Sequence, residues 1–251
     1  MKASKGESIM RTKTISFFFL ITLLLCVCGN AQRRGASSTT RIDLQSERIG
    51  HESTKFLAVV GNWSIVEDNS GKKVIAVDGR SWLRGQPSGS LAEKARSIYG
   101  ARNEEFIDNV KAWAYFPYAV ARDVDDFHDG EIGVWFKIVA GQLDECAGIL
   151  FDLKPNGDYL TVRFNGMEDN VVLWTFNTGV RKFVKRGSEN VPLQKNTWHN
   201  LQISVHGPSL QAALDGKHLL DYTLAEPVSG KIGLWSKTDS VIYFNDFTLS
   251  R

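Results

Sequence analysis

From about residue 56 onward the chain is a succession of short apolar or alternating runs, each closed by Gly, Asn, Asp or Pro. That texture predicts an all-β sandwich or barrel. Three turns are specific. Asn69-Ser70-Gly71 separates Trp63–Glu67 from Lys73–Val77, Pro155-Asn156-Gly157-Asp158 separates Gly148–Leu153 from Tyr159–Asn165, and Asp215-Gly216 separates Ser209–Leu214 from His218–Thr223. Asx-Gly pairs supply the positive φ of tight hairpins, so these runs should pair antiparallel. Further strands are expected at Tyr118–Val124, Glu131–Val139, Asn170–Phe176, Arg181–Lys185, Trp198–Val205, Lys231–Trp235 and Val241–Leu249. Ser90-Leu91-Ala92-Glu93 fits a capping box for one helix, which Gly100 can end after Tyr99. Asn103–Asn109 could form a second helical turn.

The start of the chain has a different pattern. Basic residues precede an apolar run from Ile15 to Cys28, followed by Gly29, Asn30 and Ala31. This is the layout of a secretory signal over residues 1–31, with cleavage expected after Ala31 and Met10 an alternative start. Lipidation at Cys26 or Cys28 is the rival, but neither follows the small residue usual there. The run is short for a membrane span, so the mature chain is expected to lack a transmembrane segment and to act in the periplasm, at the cell surface or in the medium. Residues 32–54 are polar and without periodicity, and read as a flexible linker ahead of one domain over 55–251.

Removing residues 1–31 changes the charge picture. Lys+Arg falls from 30 to 26 and Asp+Glu from 28 to 27, a net charge of −1 instead of +2. A nearly neutral domain has no bulk electrostatic case for nucleic acid. Cys146 would then be the single cysteine, which rules out a disulfide framework within the chain. Its setting beside Ala147 and Gly148 suits a small buried residue.

The second half carries an ordered set of phrases: Gly148-Ile-Leu-Phe151, Asn156-Gly157-Asp158-Tyr159, Arg163 and Asn165, Glu168-Asp169-Asn170, Leu173-Trp174, Trp198-His199, Leu214-Asp215-Gly216, Gly230-Lys-Ile-Gly-Leu-Trp235, Lys237-Thr-Asp239-Ser240 and Phe244-Asn-Asp246-Phe247. Together they resemble bacterial exported domains of the concanavalin A-like lectin/glucanase superfamily, of the laminin-G-like or 3-keto-disaccharide hydrolase-like kind loosely grouped with family 16 glycoside hydrolases. The resemblance covers roughly Phe56 to Arg251. It implies a two-sheet antiparallel jelly roll with a concave face and, often, a carbohydrate ligand. The Glu-x-Asp-x-x-Glu strand of family 16 glucanases is missing, as is the Gly-Tyr-Glu-x-Gln phrase of the keto-disaccharide group. Both departures weigh against an enzyme.

Candidate binding residues follow from alternation. In Tyr159–Asn165, Leu160, Val162 and Phe164 should face the core, while Tyr159, Thr161, Arg163 and Asn165 face away. The next turn leads into Asn170, Val172, Trp174 and Phe176 on one face. Arg163, Glu168, Asn170 and Trp174 should therefore gather, offering planar polar groups to sugar hydroxyls and an indole to a pyranose. The competing reading is an Arg163–Glu168 pair bracing a hairpin beside a core Trp174. Lys237, Asp239 and Ser240 form a second candidate patch in a loop, where binding residues often sit. Asp246 is expected to fix an edge.

No catalytic group is singled out, and the one acid/base pairing worth testing is Glu168 with Asp144 or Glu145. No cofactor is expected. Asp123, Asp125, Asp126, His128 and Asp129 could offer calcium its oxygen ligands, although the spacing is not that of an EF-hand. The five histidines lack zinc-type spacing. Trp82, Trp113 and Tyr115 are candidates for a ligand platform. The expected partner is a saccharide. A glycoside hydrolase or lyase, and a sandwich that meets a protein partner, are the alternatives.

Overall fold

The computed structural model describes residues 38–80, 91–100, 106–107, 116–178 and 180–251. The fold is an all-β, two-sheet antiparallel jelly-roll sandwich with one short helix. In chain order the strands are β1 Thr39–Arg41, β2 Phe56–Val60, β3 Trp63–Glu67, β4 Lys73–Asp78, β5 Tyr118–Ala121, β6 Gly130–Ala140, β7 Cys146–Leu153, β8 Tyr159–Asn165, β9 Asn170–Asn177, β10 Val180–Arg186, β11 Trp198–His206, β12 Ser209–Leu214, β13 Lys217–Thr223, β14 Lys231–Ser236 and β15 Val241–Ser250. Helix α1, Leu91–Tyr99, lies between β4 and β5. One sheet runs β13-β12-β11-β6-β15-β4-β3, and the other β10-β9-β8-β7-β14-β5-β2. Strand β15 divides its second edge between two partners. Val241–Phe244 pair with β4, and Thr248–Ser250 pair with β1.

Two apolar layers result. The first lies between the sheets, where Val134 and Phe136 of β6 meet Ile149 and Phe151 of β7 and Val162 and Phe164 of β8. The Phe136 and Phe164 rings are 5.9 Å apart. The second covers the outer face of the seven-stranded sheet, where Leu91, Ala95 and Phe106 pack on Tyr118, Leu150, Tyr159, Phe176 and Trp235. Part of that outer face is thus filled by the chain's own segment between β4 and β5. Gly100 adopts φ +64° and accepts no further helix, as its position after Tyr99 predicts. The Ser90 cap, Trp82, Trp113 and Tyr115 lie outside the described residues. Of the expected turn at 103–109, only Phe106 and Ile107 are described, and they are helical.

The linker expectation is overturned for residues 38–54. Leu44 is 3% exposed and belongs to the core between the sheets. Lys73 Nζ donates to the backbone carbonyls of Gln45 and Glu47. Glu47 is buried and accepts from the Thr54 backbone and hydroxyl. One buried leucine in a polar stretch leaves no periodicity, and the polar groups around it are spent on hydrogen bonds rather than on water. The proposed signal segment and residues 32–37 lie outside the described residues. Among the described residues, no helix is long and apolar enough to cross a membrane.

Candidate functional site

The β8–β9 hairpin does what its alternation predicts. Val162 and Phe164 enter the core between the sheets, and Tyr159, Thr161, Arg163 and Asn165 take the outer face. Gly148 of β7 lies opposite Arg163, and a Cβ there would fall 3.0 Å from the Arg163 Cβ. The missing side chain makes room for the arginine. Arg163 is only 4% exposed. Its Nη1 donates to the carbonyl of Asn170 at 3.2 Å and to its side-chain Oδ1, and its Nη2 donates to Glu168 Oε2 at 2.9 Å. Asn170 Nδ2 donates to the same Oε2 at 3.0 Å. Both bonds to Glu168 land on one oxygen, and the side chain as a whole is half exposed. The other oxygen, Oε1, is therefore available at the surface. Burial alone would raise the Glu168 pKa, but the Asn170 hydrogen bond and the charge of Arg163 hold it below the usual carboxylate range.

Trp174 is half-buried at the edge of this triad, and the free indole face expected of it is not free. The Arg181 guanidinium lies 4.4 Å from the Trp174 ring and 5.1 Å from Phe116, so it is layered between two aromatics. The Phe183 ring meets Trp174 edge-on at 5.8 Å. Arg181 follows from neither motif nor periodicity. It reaches Trp174 only because β10 pairs Arg181 with Phe176 and Phe183 with Trp174.

Tyr159, Asn165 and Asn170 are all buried within the protein, Asn170 being 2% exposed. Tyr159 is 2% exposed, stacked on Phe176 at 4.3 Å, and its Oη accepts from the Trp235 indole at 3.3 Å. Asn165 is 2% exposed and its Oδ1 accepts the backbone N–H of Met167, bracing the turn. Alternation assigns a face, and here the rest of the chain has covered that face.

The loop patch is also corrected in part. Asp239 does not offer its carboxylate to a ligand. It accepts the backbone N–H groups of Gln142, Leu143 and Asp144 at 2.8 to 3.1 Å. Burial pushes its pKa up, but those three donors outweigh it and hold the group below its ordinary value. Ser240 donates to the Lys237 carbonyl and accepts from Cys146 N–H. Lys237 remains partly open, with its Nζ 2.8 Å from Asp144 Oδ1, while Thr238 donates to Asp144 Oδ2 at 2.8 Å. The charge of Lys237 also bears on Glu168, so the two patches adjoin one another.

The carboxylates do not form a convincing acid/base pair. Glu168 is held on the acidic side of its normal range, Asp144 is committed to Lys237 and Thr238, and Glu145 is buried in an ion pair with Lys195. Burial pushes the Cys146 thiol up to about 12, which suits packing and not nucleophilic attack. In the acidic segment, Asp123 pairs with Lys55, Asp125 with Lys231 and Asp126 with His128, while Asp129 accepts the Gly207 N–H. Among the described residues no group of three or more His, Cys, Asp or Glu side chains converges as a metal site would. His199 bridges Asp215 and the Gln194 carbonyl and is structural.

No protein-family model matches the chain, and no curated protein matches its sequence. Solved structures do share its fold. One is a carbohydrate binding module, CBM66, from Bacillus subtilis, at TM-score 0.54 and 14% identity, covering 78% of this chain and 96% of the module. Another is a protein of unknown function with a galectin-like fold, also from Bacillus subtilis, at TM-score 0.52 and 12% identity, covering 86% and 96%. At such identities the likeness establishes the sandwich and leaves the residues of any site to be argued from this chain.

Proposed function

We propose that the chain is an exported glycan-recognition domain that binds a saccharide without cleaving it, at the surface end of the β8–β9 hairpin. The observation that carries this reading is the buried Arg163, fixed by Asn170 and Glu168 so that one oxygen of a rigid, ionised carboxylate is offered to solvent. Stability alone does not call for such an arrangement, because apolar side chains of similar volume commonly serve as well as a buried ion pair. A carboxylate held in place accepts two sugar hydroxyls without losing side-chain freedom on binding. Lys237 and the rims of Arg181 and Trp174 would complete the contact. The fold shared with a carbohydrate binding module accords with this reading.

The test is a glycan array probed with the wild-type chain and with Glu168→Ala, with reducing-sugar release assayed on every hit. Glu168 is half exposed, so its truncation should leave the fold intact. Binding without release, lost in the variant, is the expected result. Release of product would replace the binding reading with an enzymatic one.

A further inference from the structure

The outer face of the eight-stranded sheet holds a cleft of about 470 Å³ on the other side of the sandwich from Glu168. Its floor is set by register. Strand β6 runs between β11 and β15, with Lys137 opposite Trp198 on one side and Tyr243 on the other. One step along, Trp135 is opposite Asn200 and Asn245. The floor is therefore two rows in which aromatic rings alternate with amides and one ammonium. Trp135 is 41% exposed. The β3–β4 turn forms one wall, in which Asp68 Oδ1 accepts from the Ser70 N–H and hydroxyl and from the Lys72 N–H. Asn196 also lines the cleft.

Lys137 is the anomaly. Its side chain is 8% exposed and its Nζ lies 4.9 Å from the Trp198 ring and 5.3 Å from that of Tyr243. The nearest carboxylate oxygen, Asp68 Oδ2, is 3.9 Å away, beyond hydrogen-bond reach, although the Asp68 side chain is itself 3% exposed. An ammonium has three N–H donors, and among the described residues no acceptor lies within hydrogen-bond reach of this one, whose tip is open to the cleft. In this cleft the donors and the spare Asp68 oxygen face a space large enough for a ligand.

We infer that this cleft is a second saccharide site, taking a neutral sugar unit whose C–H face lies on Trp135 and Trp198 while its hydroxyls bridge Lys137 and Asp68. The two opposed charges cancel, which suits hydroxyls better than an acidic or basic ligand. Asn196 and Asn245 add amide donors and acceptors. The site has the ligand class of the proposed function but shares no residue with the Arg163–Glu168–Asn170 patch.

The test is an array of neutral and uronate-bearing oligosaccharides probed with wild type, Trp135→Ala, Lys137→Met and Glu168→Ala, with melting curves for each. Exposed Trp135 can be truncated without disturbing the core, so it guards against misfolding of Lys137→Met. The expected result is a neutral oligosaccharide for which Trp135→Ala and Lys137→Met each weaken binding at least about tenfold while Glu168→Ala does not, as loss of a charged hydrogen-bond donor or a stacking ring requires. Unchanged binding of every glycan by a folded Trp135→Ala overturns the inference, as does an array with no neutral hit. Losses confined to Glu168→Ala overturn it too and leave the hairpin site standing. The converse pattern sinks the hairpin site alone.

Discussion

At the scale of single residues, Arg163 and Asp152 show burial acting on charge in opposite ways. Arg163 keeps a compensating carboxylate. Glu168→Gln should therefore destabilise the protein by about 1–2 kcal/mol in urea titrations at pH 7, less than the loss of a fully buried partner because Glu168 is half exposed. Because its pKa in the folded state lies below the ordinary value, its contribution is complete above about pH 4.5 and fades as the pH falls through the folded value. The gap between wild type and variant should close in acid, and a gap independent of pH would contradict the account. Asp152 behaves in the reverse sense. Burial raises its pKa despite the Ser229 N–H and Lys154. Its charged form is disfavoured in the fold, so Asp152→Asn should stabilise the protein at neutral pH, the gain shrinking as the pH falls below the raised value. Its φ of 55° suits asparagine. Arg163, Glu168 and Asn170 could be read from the sequence because strand alternation and one tight turn bring them together locally. Trp135, Lys137 and Trp198 could not, since their row depends on β6 and β11, about sixty residues apart, pairing in one particular register.

At the scale of elements, turn chemistry accounts for most of what was legible. Gly71, Gly157, Asp215 and Gly216 all adopt positive φ at the hairpins their Asx-Gly motifs predict. Strand β2 is buried along its whole length and shows no alternation to read. Strand β1 is three exposed residues, recognisable only from its partner β15. The loop before β7 is clamped chiefly by the Asp239 side chain, from the loop after the neighbouring strand β14. Asp239→Ala should cost about 2–3 kcal/mol, as charge-assisted hydrogen bonds to buried backbone do. It should also speed hydrogen exchange at Gln142, Leu143 and Asp144, whereas unchanged exchange there would show that the clamp is incidental. Phe136→Ala, at the centre of the core between the sheets, should cost about 3–5 kcal/mol in denaturant titrations with no change in glycan binding.

At the scale of the whole molecule, the sandwich carries two apolar layers and exposes polar clusters on opposite outer faces. The outer layer on the seven-stranded sheet covers Tyr118, Tyr159, Phe176 and Trp235, and the proposed site lies at the hairpin end of that face. Leu91, Ala95 and Phe106 pack on those four residues, while Glu168 and Phe183 remain at least half exposed. The most direct test of glycan recognition there is titration calorimetry of an array-selected oligosaccharide against wild type and Glu168→Ala. The account predicts a Kd at least about tenfold weaker in the variant, with a melting temperature lowered by only the several degrees that about 1–2 kcal/mol implies, so that the variant is still folded at the titration temperature. Equal affinities would remove Glu168 from the site and contradict it.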